Sequence, residues 1–286
     1  MSGSGPEAAA EPNHVGPRSC GEEQSVSARV HLDTDIGEGF GVWGNSDEAE
    51  LMDLVSAANI ACGFHAGDPD ILRRTTALAA ERGVSIGAQV SYRDLVGFGR
   101  RFIDVARPTL VNDIVYQIGA LQAFARIAGT EVTYVKAHGA LYNVAADNVE
   151  QAAAIVEAVE IVDPALPLLC QYGTEVWNRA VERGITPIAE VFVDRGYTSQ
   201  GRLVSRQHPD ALLTDVEAAA RRAVSMVTGR EVTSVDGERA QVAPPEAAAL
   251  ALCVHSDTPG AAGMARATGA ALLENGFRLE PIGRTR

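Results

Sequence analysis

Short apolar runs alternate with longer segments of helical periodicity at least seven times between residues 28 and 276, and this alternation narrows the fold more than anything else in the chain. Apolar runs of this kind, bounded by turn-forming residues, mark fully buried strands. Their alternation with helices implies parallel pairing, because each helix carries the chain back across the sheet. Strands are expected at Arg29–Asp33, Ala57–Cys62, Val84–Ala88, Val132–Val135, Leu166–Leu169, Pro187–Val193 and Ala249–Val254. Helices are expected at Asp47–Val55, Pro69–Arg82, Pro108–Ala128, Asn148–Val159, Glu175–Arg183, Ala211–Val227 and Gly260–Glu274. Asp68 should cap the second helix, with Pro69 in its first turn and Gly83 at its end, while Gly129, Gly184 and Gly229 should stop three later ones.

The length of this region fits a closed or nearly closed (β/α) barrel of the TIM type, with seven or eight strands. A doubly wound open sheet is the competing architecture, but no G-x-x-x-x-G-K-[ST] phosphate loop supports it. Residues 1–27, rich in Gly, Ser, Pro, Ala and Glu and without periodicity, read as a disordered tail, and 28–286 as one barrel domain.

Composition then excludes several functions. The net charge of −13 argues against nucleic acid, which needs a basic face. No apolar run approaches the roughly 18 residues that span a bilayer. The N-terminus lacks the basic flank and apolar core of a secretion signal, so a cytoplasmic address is expected, with Cys20, Cys62, Cys170 and Cys253 as reduced thiols. Of 24 basic residues, 23 are arginine, and Lys136 is the only lysine.

In a barrel of this type the active site lies at the C-terminal ends of the strands. The residues after each expected strand are rich in chemistry. They include Asp33 and Asp35, then His65 and Asp68, then Gln89, Asp94, Arg100 and Arg101, then Lys136, His138, Tyr142 and Asn143, then Glu190 and Asp194, and finally His255 and Asp257. Three of the six histidines stand at expected strand ends, each near glycine. Charges at a barrel mouth must be solvated, paired or used. Each residue also has a plainer explanation: Asp33 or Asp35 capping a turn, His65 satisfied in the core, Arg100 and Arg101 solvated, Asp257-Thr258-Pro259 starting a helix, Tyr142 and Asn143 packing and capping.

Longer motifs carry a resemblance. Asp33-Thr34-Asp35-Ile36-Gly37-Glu38-Gly39-Phe40-Gly41, Ser56-Ala57-Ala58-Asn59-Ile60-Ala61-Cys62-Gly63-Phe64-His65-Ala66-Gly67-Asp68 and Gly97-Phe98-Gly99-Arg100-Arg101 resemble segments of the LamB/YcsF family. So do Lys136-Ala137-His138-Gly139-Ala140-Leu141-Tyr142-Asn143, Glu190-Val191-Phe192-Val193-Asp194-Arg195 and Cys253-Val254-His255-Ser256-Asp257-Thr258-Pro259-Gly260-Ala261. The resemblance runs from about residue 30 to about 276. It implies a barrel related to sugar hydrolases and deacetylases. It also implies a place as the A subunit of a bacterial 5-oxoprolinase, which couples ATP cleavage to opening of 5-oxo-L-proline to L-glutamate with partner subunits B and C. The chain departs from the family pattern at Gln89-Val90-Ser91, where the family usually has His-Pro-Gly or His-Pro-Ser, and at Ser256, where it usually has Gly.

On this resemblance ATP is a co-substrate handled with the partners, and no obligate metal is expected in this chain. Asp35 or Asp33 is the expected base, with His65 and His138 relaying protons and Lys136 stabilising developing negative charge. His255 and Asp194 should complete the pocket. Arg100 or Arg101 should hold a carboxylate or phosphate, with Glu38, Asn59, Tyr142 and Asn143 as further substrate contacts. Two alternatives stay open: a metal-dependent deacetylase or amidohydrolase acting on a carbohydrate or cyclic amide, with Asp35, His65, His138 and His255 as ligands, and a non-catalytic lactam- or sugar-binding regulatory subunit.

Overall fold

Seven parallel strands close into a ring in the computed structural model, which describes residues 29–44 and 48–285 together with Met1 and Gly3. Apart from those two residues, the expected N-terminal tail lies outside the described residues. The barrel strands are β1 (Arg29–Ile36), β2 (Ala57–Ala61), β3 (Ser85–Val90), β4 (Val132–Ala137), β5 (Leu168–Cys170), β6 (Pro187–Phe192) and, last in the chain, β9 (Ala249–Cys253). Neighbours in sequence are neighbours in the ring. β9 closes it by pairing with β6 on one side and β1 on the other. The open-sheet alternative is therefore excluded, and the strand number is seven.

The helices α1 (Glu48–Met52), α2 (Pro69–Arg82), α3 (Arg107–Ile127), α5 (Val149–Val162), α6 (Glu175–Glu182), α7 (Val216–Gly229) and α8 (Ala261–Glu274) accompany the strands, with a short α4 (Gly139–Val144) directly after β4. α2 begins where the sequence puts it. The Asp68 side chain accepts from the backbone N–H groups of Asp70 and Ile71, and Gly83 ends the helix at φ 67°. α7 is shorter than expected. Leu213 N–H donates to Asp194 O, and Arg195 forms a β-bridge with Leu212, so tertiary pairing holds the segment before Asp215, which caps the helix. Its stop is also displaced: Gly229 is the last helical residue, and Arg230 takes the left-handed conformation. A hairpin of β7 (Glu231–Thr233) and β8 (Arg239–Gln241) follows; its strands are too short to show periodicity.

Strand side chains alternate between the outer helix layer and the barrel interior. The lower interior is a small apolar plug of Ala57, Tyr134, Leu169, Ile188, Ala251 and Ile282. Gly87 on β3 leaves room for the Tyr134 ring across the ladder, because a Cβ there would stand 2.1 Å from it. The Tyr134 hydroxyl donates to Asn59 Oδ1 at 2.7 Å, and above this point the interior turns from apolar to ionisable. The C-terminal segment seals the opposite end: Glu280 N–H bonds Val30 O, and Ile282 N–H bonds Ser85 Oγ at 3.0 Å. Among the described residues no helix is long and apolar enough to cross a membrane.

Candidate active site

β1, β4 and β6 each send one charged side chain to the same buried point. Lys136 Nζ contacts Asp35 Oδ1 and lies 3.1 Å from Glu190 Oε1. Asp33 sits below them, where Asn59 Nδ2 donates to its Oδ1 at 2.7 Å and to Asp35 Oδ1 at 3.0 Å. All four ionisable groups are sealed, none more than 3% exposed. Three carboxylates beside one ammonium cannot all carry charge in such a place. Burial therefore raises the pKa of Asp33, and pushes Glu190 up to about 7. Burial also opposes charge on Asp35, yet the Lys136 ammonium, with His138, holds that carboxyl well below the usual range. Burial works against the ammonium too, but Asp35 foremost holds Lys136 well above its ordinary value. The cluster keeps one firm ion pair and shifts the other two acids towards their protonated forms.

Above Lys136 two imidazoles stack, His65 and His138, with ring centroids 4.3 Å apart. His138 Nε2–H donates to Phe98 O at 3.1 Å. Phe98 holds that carbonyl in place with a left-handed backbone, φ 54°, a conformation costly for a bulky side chain. Its ring packs edge-on against His138. Gly139, at φ 62°, lets the chain pass close beneath: a Cβ there would stand 2.4 Å from Gly99 O. His138 Nδ1 faces Glu38 at 3.5 Å and Asp35 at 3.7 Å, just beyond ordinary hydrogen-bond length. Gln89 joins the neighbours, accepting from His65 Nε2–H at 2.9 Å and donating to Glu38 Oε1 at 3.0 Å. Burial raises Glu38, helped by the Asp35 charge, and drives His65 well down, so that this ring stays neutral.

On the far wall His255 Nδ1–H donates to Asp194 at 3.0 Å, Thr258 Oγ1 donates to the same carboxylate at 2.6 Å, and the His255 ring stacks on Phe192. Burial disfavours the imidazolium, but Asp194 outweighs it and raises the His255 pKa. The site thus holds carboxylates of contrasting strength and two histidines with opposite tendencies, the pattern expected where separate acid and base roles exist.

Asp35, Lys136, His138 and His255 line a cavity of about 600 Å³, with Arg100, Tyr142 and Asn143 on its walls. Glu38 and His65 line an adjoining cleft edged by Trp43, Leu95 and Phe98. Asp33, Asn59 and Asp194 stand behind these walls and act on the residues in front of them. Arg101 is not brought in: its guanidinium lies on Asp94, away from the cavity. Glu190 stands among the strand-end residues of the sequence but is assigned no role there. Its signal there is an acid inside the apolar run Pro187–Phe192, on the inward alternation shared with Ile188.

Two donor groups among the described residues could receive a cation, Glu38 with His65 and His138, and Asp33 with Glu190 and Cys253. In the first, the two rings are inclined by only 18°, so their lone pairs do not converge without ring rotation. In the second, the Lys136 ammonium already supplies the positive charge. The four ligands expected for a metal-dependent amidohydrolase do not form one donor group, since Asp35 and His255 belong to neither of the two.

Comparison with known proteins agrees with this barrel. The model of the LamB/YcsF family matches residues 30–286. The A subunit of 5-oxoprolinase from Mycobacterium avium (strain 104) is 53% identical over 240 residues, 84% of this chain and 93% of that protein. The third numbered A subunit of 5-oxoprolinase from Pseudomonas syringae pv. tomato is 46% identical over 253 residues, covering 88% and 97%. The crystal structure of a lactam utilization protein from Thermus thermophilus superposes with a TM-score of 0.82 at 39% identity, covering 88% of this chain and 99% of that one.

Proposed function

This chain belongs to the LamB/YcsF family, and from that premise we propose that it is the A subunit of a 5-oxoprolinase, a hydrolase that opens the lactam of 5-oxo-L-proline to L-glutamate. The observation that carries the reading is one ammonium, Lys136, fixed by sealed carboxylates at the floor of a cavity flanked by His138 and His255. The relatives favour neither the deacetylase nor the regulatory alternative.

A lactam carbonyl is a stabilised amide and a poor electrophile. Phosphorylation of its oxygen at the cost of ATP removes that resistance. This chain has no phosphate-loop motif, so subunits B and C are assigned that step, and a cytoplasmic complex follows from the use of ATP. Water then adds to the activated carbon, the C–N bond breaks as the nitrogen takes a proton, and the resulting acyl phosphate is hydrolysed to glutamate and phosphate. In this scheme Glu38 and His138, side by side, hold and deprotonate a water on the cavity side of the pair. Lys136 faces the oxygen that gains negative charge, and His255, kept protonated by Asp194, supplies the proton to nitrogen. Asp35 orients Lys136 and His138 rather than acting as the base, because its carboxylate is too well stabilised.

The test is reconstitution. The chain, B and C subunits, ATP and 5-oxoproline together should release glutamate, and the chain alone should turn over neither ATP nor lactam. Equal glutamate release from B and C without this chain would sink the proposal.

A further inference from the structure

The cavity is built for more charge than a lactam carries. Five cations face it: Lys136 at the floor and Arg100, Arg195, Arg202 and Arg206 around the walls and rim. In a chain of net charge −13 this concentration is local and one-sided. Lys136 is balanced by Asp35, but the arginines are not balanced one for one. Arg100 Nη2 and Arg206 Nη1 share a single acceptor, Asp257 Oδ2, at 2.5 and 3.4 Å. Arg202 has its nearest carboxylate, Asp147, at 3.9 Å and otherwise donates to the carbonyls of Tyr172 and Gly173. Arg195, buried, donates to Ala211 O and Val204 O, and among the described residues no carboxylate lies within 4.0 Å of it as an ion-pair partner.

Backbone carbonyls fix a guanidinium without cancelling its charge, so the rim is pre-oriented and positive. Its fork geometry suits a tetrahedral oxyanion with several acceptor oxygens, as found in phosphate binding. The volume, about 600 Å³, is the size of a site for a drug-sized ligand and several times what a five-membered lactam fills.

The geometry points to a phosphoryl subsite at the cavity rim, formed by Arg100 and Arg206 with Arg195 and Arg202 behind them, that receives a phosphorylated small molecule. Asp257 holds the first two arginines until the phosphoryl group takes its place on them. This deepens the proposed function, on which it rests for the identity of the carrier: the ligand entering the cavity is the O-phosphorylated lactam or its acyl phosphate product, not the bare lactam.

Inorganic phosphate is the probe, titrated into the full chain without partners or lactam, at constant ionic strength and followed by calorimetry. Saturable binding near one equivalent is expected in the millimolar range or tighter. Arg206→Gln and Arg100→Gln should each weaken it by about tenfold or more. Arg101→Gln, which alters an arginine held on Asp94, should leave it unchanged. No saturable binding, or equal binding by wild type and both cavity variants, overturns the subsite. Because neither 5-oxoproline nor glutamate enters the measurement, failure here leaves the lactam reading standing, and failed reconstitution leaves the phosphate result standing.

Discussion

Lys136 Nζ and Glu190 Oε1 lie 3.1 Å apart inside the barrel, both almost wholly buried, with Lys136 lining the cavity and Glu190 behind it. The pair is unequal, because Asp35 already holds the ammonium, and Glu190 is left as the acid whose proton is retained near neutral pH. Lysine chemistry and proton storage are thus set by geometry between β4 and β6.

Substitution at Glu190 should show this as a pH effect on stability. A buried acid with its folded pKa raised to about 7 favours the folded state at low pH, and that contribution is lost as pH rises from the unfolded value through 7. Glu190→Gln keeps the shape and removes the titration. Its melting temperature relative to wild type should therefore be higher at about pH 8 than at about pH 5. A difference that does not change with pH would show that Glu190 is ionised throughout.

Lys136→Arg should remove glutamate formation in the reconstituted complex almost as completely as Lys136→Met, by about a hundredfold or more. The ammonium fits between Asp35 and Glu190 as a point charge, and the broad guanidinium does not. Circular dichroism should show both variants folded. Near-normal turnover with arginine would mean that only charge counts.

The two aspartates of β1 should separate. Asp35→Asn takes away the counter-charge of Lys136 and one of the groups facing His138, and should lower turnover by about a hundredfold. Asp33→Asn changes an acid behind the cavity wall that burial already keeps towards its neutral form, and should cost less than about tenfold. Equal losses would place both carboxylates in the reaction.

Asp194→Asn tests the acid. Without that carboxylate the burial of His255 is uncompensated and its pKa falls. The alkaline limb of the pH–rate profile should move to lower pH by about one unit, while activity at acidic pH changes less. An unmoved limb would show that His255 does not deliver the proton.

The strand ends are legible in the sequence because burial and glycine punctuation mark them locally. Asp35, His138 and His255 stand out that way, and each lines the cavity. What a single strand cannot show is which neighbour answers it across the ring. Glu190 is one acid in an apolar run until β6 comes to face β4, and Arg101 is as apt as Arg100 until Asp94 takes it. The early start expected for α7 fails for a related reason, since residues before Asp215 gain more from bonding to the segment after β6 than from another helical turn.

The ring has one seam, and it is sewn last. β9 lies between β6 and β1, so a nascent chain has two bare strand edges until Ala249–Cys253 leaves the ribosome. β1 must wait for a partner far downstream, the kind of distant pairing that slows folding. Asp35 on β1 borders that seam, while Glu190 on β6 borders its other side. The ion cluster can be enclosed only when the final strand lies between them, so closing the ring and burying these charges are one event.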